Sequence, residues 1–397
     1  MSRPALPLEG VRVLDLSRVL AGPYCSMVLA DLGADVIKLE RPGSGDPTRA
    51  WGPPFAQGES AYYLCVNRGK RSLTLDLGDP DGLAVARELA LRSDIVLESF
   101  VPGGASKLGL GYEQLAELRP ELVYGSISGY PGDSPDAHRP GFDFAIQAEG
   151  GIMSVTGEAS GPPMKVGVAI TDITAGMFCT IGLLAALRQR ELTGVGRHVE
   201  VSLFDSQLAW LANRGSEVLI AGQEPVRLGN AHPTIVPYEA FATSDEKWVI
   251  VAVGTDEQFR RFCLEAGLDG LANDPRFATN PQRVAHRHEI VAELTRAIAQ
   301  RTLAEWLGAI ERARVPGGAV RSISEVFGHA PFAIQTHQHP TIGTVRTVRS
   351  PIGLDGTHPT ASSAPPLLGQ HSEEVLAELG YEGEQLATLL AGPCSTS

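Results

Sequence analysis

One carboxylate stands out by its surroundings. Asp172 sits in Lys165-Val166-Gly167-Val168-Ala169-Ile170-Thr171-Asp172-Ile173-Thr174-Ala175-Gly176-Met177-Phe178, with an apolar run before it and an apolar helical pattern after it. The ordinary use of an aspartate there is to cap the helix, since its oxygens satisfy free N–H groups. The chemical use is as an exposed nucleophile flanked by small residues at a helix N-terminus. Asp143, in Gly141-Phe142-Asp143-Phe144, is a second carboxylate in apolar company. It reads either as a structural hydrogen-bond acceptor or as a partner of the first.

Cations collect at the ends of predicted strands: Arg18, Arg41, Arg49, Lys70, Arg71, Lys107 and Arg139. Scattered basic residues are usually solvated. Yet α/β sheets bind ligands at these loop ends, and a phosphate-bearing ligand needs such a cluster. The other usual signatures are missing. Leu16 to Pro23 has one glycine where a nicotinamide fingerprint has three, Gly69-Lys70 lacks the upstream glycine of a P-loop, and no G-x-S-x-G occurs. His286-x-His288 and His337-x-His339 have no cysteine cluster or HExxH beside them, so they read as exposed histidines, the second pair in a loop, and no metal centre is expected.

The elements that must position these groups alternate. Val11–Leu16, Asp35–Leu39, Ile95–Glu98, Leu122–Ile127 and His198–Ser202 read as strands. Asp79-Pro80 opens a helix with proline just inside its start. Long helices are expected at about Thr174–Glu191 and Asp205–Ala221. The spacing predicts parallel βαβ units: an α/β, Rossmann-like large domain over 1–225. After Gly229 the character changes. Tyr238–Ala242 and Trp248–Val253 flank a turn as a hairpin does, and helical patterns follow at 256–267 and 282–313. A smaller α+β domain is placed at 226–325, with 326–397 returning to complete the first.

Composition narrows the field. The chain has 397 residues, 43% hydrophobic, with Lys plus Arg at 33 and Asp plus Glu at 46, a net charge of −13. That balance fits a globular protein with more than one domain and disfavours nucleic acid as partner. Five cysteines without a CxxC pair suggest reduced thiols and a cytoplasmic setting. No apolar run suits a secretory leader or a membrane span, so no membrane partner is expected.

Several strings together resemble the class III CoA-transferases (the CaiB/BaiF or formyl-CoA transferase family). They are Val13 to Cys25, Ala30 to Asp46, Asn67 to Ser72, Glu98 to Gly103, Gly167 to Gly176, Thr193 to Asp205 and Pro365 to His371. The resemblance spans nearly the whole chain. The stretch Gly229 to Phe241 is most similar to members that move CoA between dicarboxylates, such as succinyl-CoA:glutarate CoA-transferases.

The resemblance implies the following. Asp172 matches the family's nucleophilic aspartate, and Asp143 is taken beside it as a second catalytic candidate. Val253-Gly254-Thr255 matches a glycine-containing loop that relatives place over the site, without the long glycine run of the formyl-CoA enzymes. Arg18, Val19, Ala21, Arg41, Leu75, Phe100, Lys107 and Leu108 match CoA-contacting positions. Leu20 stands where formyl-CoA enzymes carry Gln, and Gly78 and Pro140 where they carry lysines; Arg139, adjacent to the second, is expected to substitute for that lysine as a CoA-binding residue. Acyl-CoA and a carboxylic acid are the implied substrates, with no permanently bound cofactor. An interlocked homodimer is the implied assembly. Arg49, Arg139 and Arg227 are candidates to hold the far carboxylate of a dicarboxylate. Two rivals remain. An α-methylacyl-CoA racemase would need the histidine of a Gly-His-Asp string, where this chain has Phe142; Asp256 lies near the site of another racemase carboxylate. A non-catalytic acyl-CoA-binding protein would be indifferent to loss of Asp172.

Overall fold

The structure, a computed structural model, describes residues 6–391; Cys394 and the end of the 326–397 segment lie outside them. The chain divides into two units. The first comprises residues up to Ile152, Val166–Ser216 and Phe332 onward; the second comprises Met153–Lys165 and Glu217–Pro331.

The first unit is built on a six-stranded parallel sheet: β1 (Arg12–Asp15), β2 (Asp35–Glu40), β3 (Lys70–Thr74), β4 (Ile95–Glu98), β5 (Val123–Ser128) and β6 (His198–Ser202). Their spatial order is 3-2-1-4-5-6. This is the doubly wound order, whose ligand cleft lies at the carboxyl ends of the strands where the order reverses, here between β1 and β4. The central strands β1, β4 and β5 bury apolar side chains on both faces because helices cover both. β3 is the one absent from the sequence-predicted set. Its residues, KRSLT, carry a buried lysine and serine rather than an apolar run.

One layer holds α1 (Ala21–Asp31). The other holds α2 (Pro80–Leu91), where Asp79 caps the first turn by accepting from Gly82 N at 3.0 Å. Two short helices follow β4, α3 (Gly104–Lys107) and α4 (Tyr112–Ala116). α5 (Asp143–Glu149) precedes the long α6 (Ile170–Thr193), which ends at Gly194 in the left-handed region. α6 begins four residues earlier than expected. By length and composition it is apolar enough to cross a membrane, which the sequence reading did not anticipate. Its inner face instead packs on α1 and the sheet: a Cβ on Gly176 would lie 2.5 Å from the Ala21 carbonyl oxygen. α7 (Leu203–Leu219) breaks at Ala212, whose φ is 39°.

The second unit holds an antiparallel sheet of β7 (Tyr238–Ala242), β8 (Trp248–Ala252) and β9 (Gly317–Ala319), in the order β9-β8-β7. Helices α8 (Asp256–Glu265), α9 (Arg287–Ile298) and α10 (Leu303–Ala313) pack on it around Phe262 and Trp306. The chain then returns to the first unit through a hairpin, β10 (Ile334–His339) and β11 (Gly343–Val348), and α11 (Ser372–Leu379). That hairpin corrects the expected loop. His337 and His339 are buried on β10, not exposed, because alternate residues of this strand face inward.

Candidate active site

Two adjoining cavities open at the carboxyl ends of the parallel strands. The first, about 290 Å³, is walled by Leu16 and Arg18 after β1, Lys38 to Arg41 at the end of β2 and Ser44 to Pro47 after it, Leu75 to Leu77 after β3, and Phe100 after β4. The second, about 270 Å³, is walled by Arg18, Val19, Leu20, Ala21, Phe100, Gly129, Arg139, Phe142 and Asp172. Arg18, Pro47 and Phe100 line both, so the two adjoin across these side chains.

Asp172 reaches the second cavity from the first turn of α6. It does not cap the helix: the N-cap is Ala169, and Asp172 is the third helical residue. Its carboxylate is half-buried and has no hydrogen-bond partner among the described residues. Burial, with the charge of Asp143 adding to it, pushes its pKa up to about 7.

Asp143 is fully engaged. Oδ1 accepts from Thr171 N at 2.9 Å and Thr171 Oγ1 at 2.5 Å, and Oδ2 accepts from Gln147 Nε2 at 2.7 Å. The buried Gln147 in turn accepts from Val166 N at 2.8 Å. α5 is brought here by a close backbone crossing: a Cβ on Gly141 would lie 2.4 Å from Gly129 Cα. Thr171 and Gln147 were invisible as site residues in the sequence. An aspartate just inside a helix start, facing a threonine before another, was the only available sign.

The cations divide sharply. Arg18 and Arg41 are exposed and have no ion-pair partner among the described residues. Arg18 lies over the Phe100 ring at 5.6 Å. Arg49, by contrast, is a structural group: it grips Glu40 through two bonds of 2.7 Å and also reaches Tyr63 and the Pro366 carbonyl. Lys70 is buried against Asp15 and Asn67, and Arg71 pairs with Asp35, Glu374 and Glu378. Arg139 binds Glu149 and Asp136 and lies over Tyr130. Lys107 ends α3, and Leu108, like Phe100, is partly buried against the core around Leu14, Leu73 and Val96; neither Lys107 nor Leu108 lines the two cavities.

Gly254 belongs to the second unit, where its N–H donates to Gln258 Oε1 at 2.9 Å. Arg227 is there too, bonded to the carbonyls of Glu158 and Gly161. Asp256 is spent on the buried guanidinium of Arg283 at 2.8 Å, a structural use. No group of three or more His, Cys, Asp or Glu among the described residues is arranged to hold a metal.

A doubly wound sheet with a free, partly protonated aspartate beside a cation-lined cleft fits an enzyme that handles CoA thioesters. Residues 8–372 match CoA-transferase family III, and the chain belongs to that family. It is 41% identical over 389 residues to succinyl-CoA:glutarate CoA-transferase of Mus musculus, covering 97% of this chain and 89% of that one. It is 44% identical over 383 residues to succinate--glutarate CoA-transferase of Agrobacterium fabrum, covering 94% and 96%. The crystal structure of a CaiB/BaiF family protein from Brucella suis superimposes with a TM-score of 0.85 at 40% identity, covering 94% of this chain and all of that one. The protein is thus an enzyme of the CoA-transferase class, acting on CoA thioesters and carboxylic acids.

Proposed function

We propose that this enzyme moves CoA from a dicarboxylyl-CoA of the succinyl-CoA kind to a second dicarboxylic acid, with Asp172 as the nucleophile. The observation that carries this reading is the unpartnered Asp172 carboxylate in a cavity that adjoins the Arg18–Arg41 cleft. The names of the two glutarate-linked relatives support the choice of dicarboxylates.

The chemistry follows from the carboxylate. An Asp172 oxygen attacks the thioester carbon, the C–S bond breaks, and CoA leaves as thiolate, giving a mixed anhydride. The thiolate attacks the Asp172 acyl carbon; the C–O bond breaks, the donor acid departs, and an aspartyl-CoA thioester remains. The acceptor carboxylate attacks that carbon and expels the thiolate. The thiolate then takes the acceptor's acyl group and restores Asp172. Acyl-transfer potential is kept throughout, so no ATP is consumed. A serine or cysteine nucleophile would give no such activated route from acid to acid.

Arg18 and Arg41 would hold the phosphates of CoA, with Leu75 and Phe100 against its apolar parts. Val19 and Ala21 would flank the thioester, and Lys107 and Leu108 would extend the cleft past Phe100. Asp143 would position rather than react, since all its oxygens are engaged. Gly254 would have to exchange Gln258 for a substrate oxyanion to stabilise one. Met177, Phe178 and Ile181 on α6, with Leu208 and Trp210 on α7, are exposed apolar side chains that support a homodimer.

The test is product analysis by mass spectrometry. Purified protein with succinyl-CoA and a panel of mono- and dicarboxylic acids should form new acyl-CoA only with dicarboxylates. Asp172→Asn should form none. Exchange that survives this substitution would refute the nucleophile; exchange with monocarboxylates alone would refute the substrate class. The racemase alternative had one feature in its favour, Asp256, and that carboxylate is paired to Arg283; the position of its histidine is Phe142, which cannot take a proton.

A further inference from the structure

The turn that carries Arg18 is strained. Val19 has φ of 70°, a left-handed conformation that is a true outlier for a β-branched residue. Such a residue persists only where its surroundings hold it. Here they do so from beneath. Lys38 and Asp46 form an ion pair at 2.9 Å with both side chains wholly buried. Lys38 Nζ also donates to the Ser17 carbonyl at 2.9 Å, and the Asp46 carboxylate accepts from Val19 N at 3.2 and 3.4 Å. The pair therefore spans the turn, holding the carbonyl before Arg18 and the N–H after it. Ser17 is fixed again by Asp15, and Arg18 N donates to Ser99 Oγ at 3.1 Å. Asp46 has a further grip on the first turn after β2, through Thr48 N and Oγ1.

A buried ion pair is a poor way to gain stability, because desolvation offsets the attraction. Fixing a strained turn whose central side chain walls both cavities is a better account of its presence. We propose that Lys38 and Asp46 are positioning residues for CoA: together they hold Val19 left-handed, and so aim Arg18 at the junction of the two cavities. This rests on the placement of CoA in the Arg18–Arg41 cleft.

The experiment measures CoA affinity by calorimetric titration, with the thermal unfolding midpoint recorded for every variant. Lys38→Met with Asp46→Leu removes both charges and leaves neither partner buried alone. Its CoA affinity should fall about tenfold, the scale of effect a misplaced binding group produces. Adding Val19→Gly, which enters the left-handed region without strain, should recover most of that loss. An unchanged affinity in the double variant would overturn the proposal. So would a loss that Val19→Gly does not relieve, since the pair would then act elsewhere than through Val19. If the double variant does not fold, Asp46→Asn is used: it keeps an acceptor for Val19 but loosens the grip of Lys38. A parent-like affinity there would likewise overturn it. Arg18→Ala and Arg41→Ala are the controls. If these do not weaken CoA binding, the placement of CoA is wrong. If they do and the Lys38 and Asp46 variants do not, the positioning role alone is wrong.

Discussion

Asp143 holds the residue in front of Asp172, not Asp172 itself: one carboxylate oxygen takes both the N–H and the hydroxyl of Thr171. This satisfies one of the free N–H groups at the start of α6 from outside the helix, and so leaves Asp172 unburdened. The same arrangement sets two carboxylates near one another. The charge of Asp143 adds to burial in favouring the neutral form of Asp172.

Asp172→Asn should abolish transfer, and the parent's pH profile should report the same group. Its pKa is raised to about 7, so the acid form dominates below that pH and the nucleophilic form above it. The rate constant kcat/KM for acyl-CoA should rise about tenfold per pH unit below 7 and level off above it. Stability runs the opposite way. A carboxyl raised from 3.8 binds its proton more tightly in the fold, so stability is lost as pH climbs from about 4 to 7. Asp172→Asn should therefore raise the unfolding free energy by roughly 2–4 kcal/mol at pH 8 and by less at pH 5. Equal unfolding midpoints at pH 8 would contradict the buried, charge-strained carboxylate.

Asp143→Asn should move that profile as well as lower the rate. Loss of the negative charge shifts the midpoint for Asp172 to lower pH, while the Asn amide meets a donor at Thr171 or Gln147. We expect kcat to fall about 10–100-fold, the scale of a positioning defect, with KM for acyl-CoA changed less. A reduced kcat with an unmoved pH midpoint would mean that the two carboxylates do not interact.

Much of the first unit was legible because apolar strands alternate with helices, and Ile95–Glu98 and His198–Ser202 coincide with their strands. β3 was not, because it is built around Lys70 and Ser72, whose burial depends on Asp15 and Glu40, partners far away in sequence. The β10–β11 hairpin was missed for a similar reason. Gln335, His337 and His339 alternate as a strand should, but polar residues at inward positions conceal the period. Asp172 was legible by its apolar setting. Lys38 and Asp46 were not, since nothing local marks a charge that is buried against its opposite.

Arg49 tests the distinction between a cation near a site and a cation in it. Its guanidinium is tied to buried Glu40 and stacked 3.7 Å from the Tyr63 ring centroid. Arg49→Met leaves Glu40 short of its partner, and should cost about 3–5 kcal/mol of stability. Preference among acceptor acids should not change. A shifted ratio of dicarboxylate to monocarboxylate rates in the folded variant would return Arg49 to the substrate.

Arg139 is the better candidate for the far carboxylate. It lines the cavity of Asp172, and of the three arginines considered for this role it alone does. Its present partners, Glu149 and Asp136, are exposed, so a substrate carboxylate meets a guanidinium whose ion pairs are weak and replaceable. The planar fork suits bidentate recognition of a carboxylate, and stacking on Tyr130 keeps its orientation. Arg139→Gln should lower kcat/KM for dicarboxylate acceptors about 10–100-fold, the worth of a hydrogen bond to a charged group, and leave monocarboxylates within about threefold. Competition between glutarate and butyrate for one pool of succinyl-CoA measures the ratio directly. Parallel losses for both acids would show that Arg139 supports the cavity wall rather than reading the second charge.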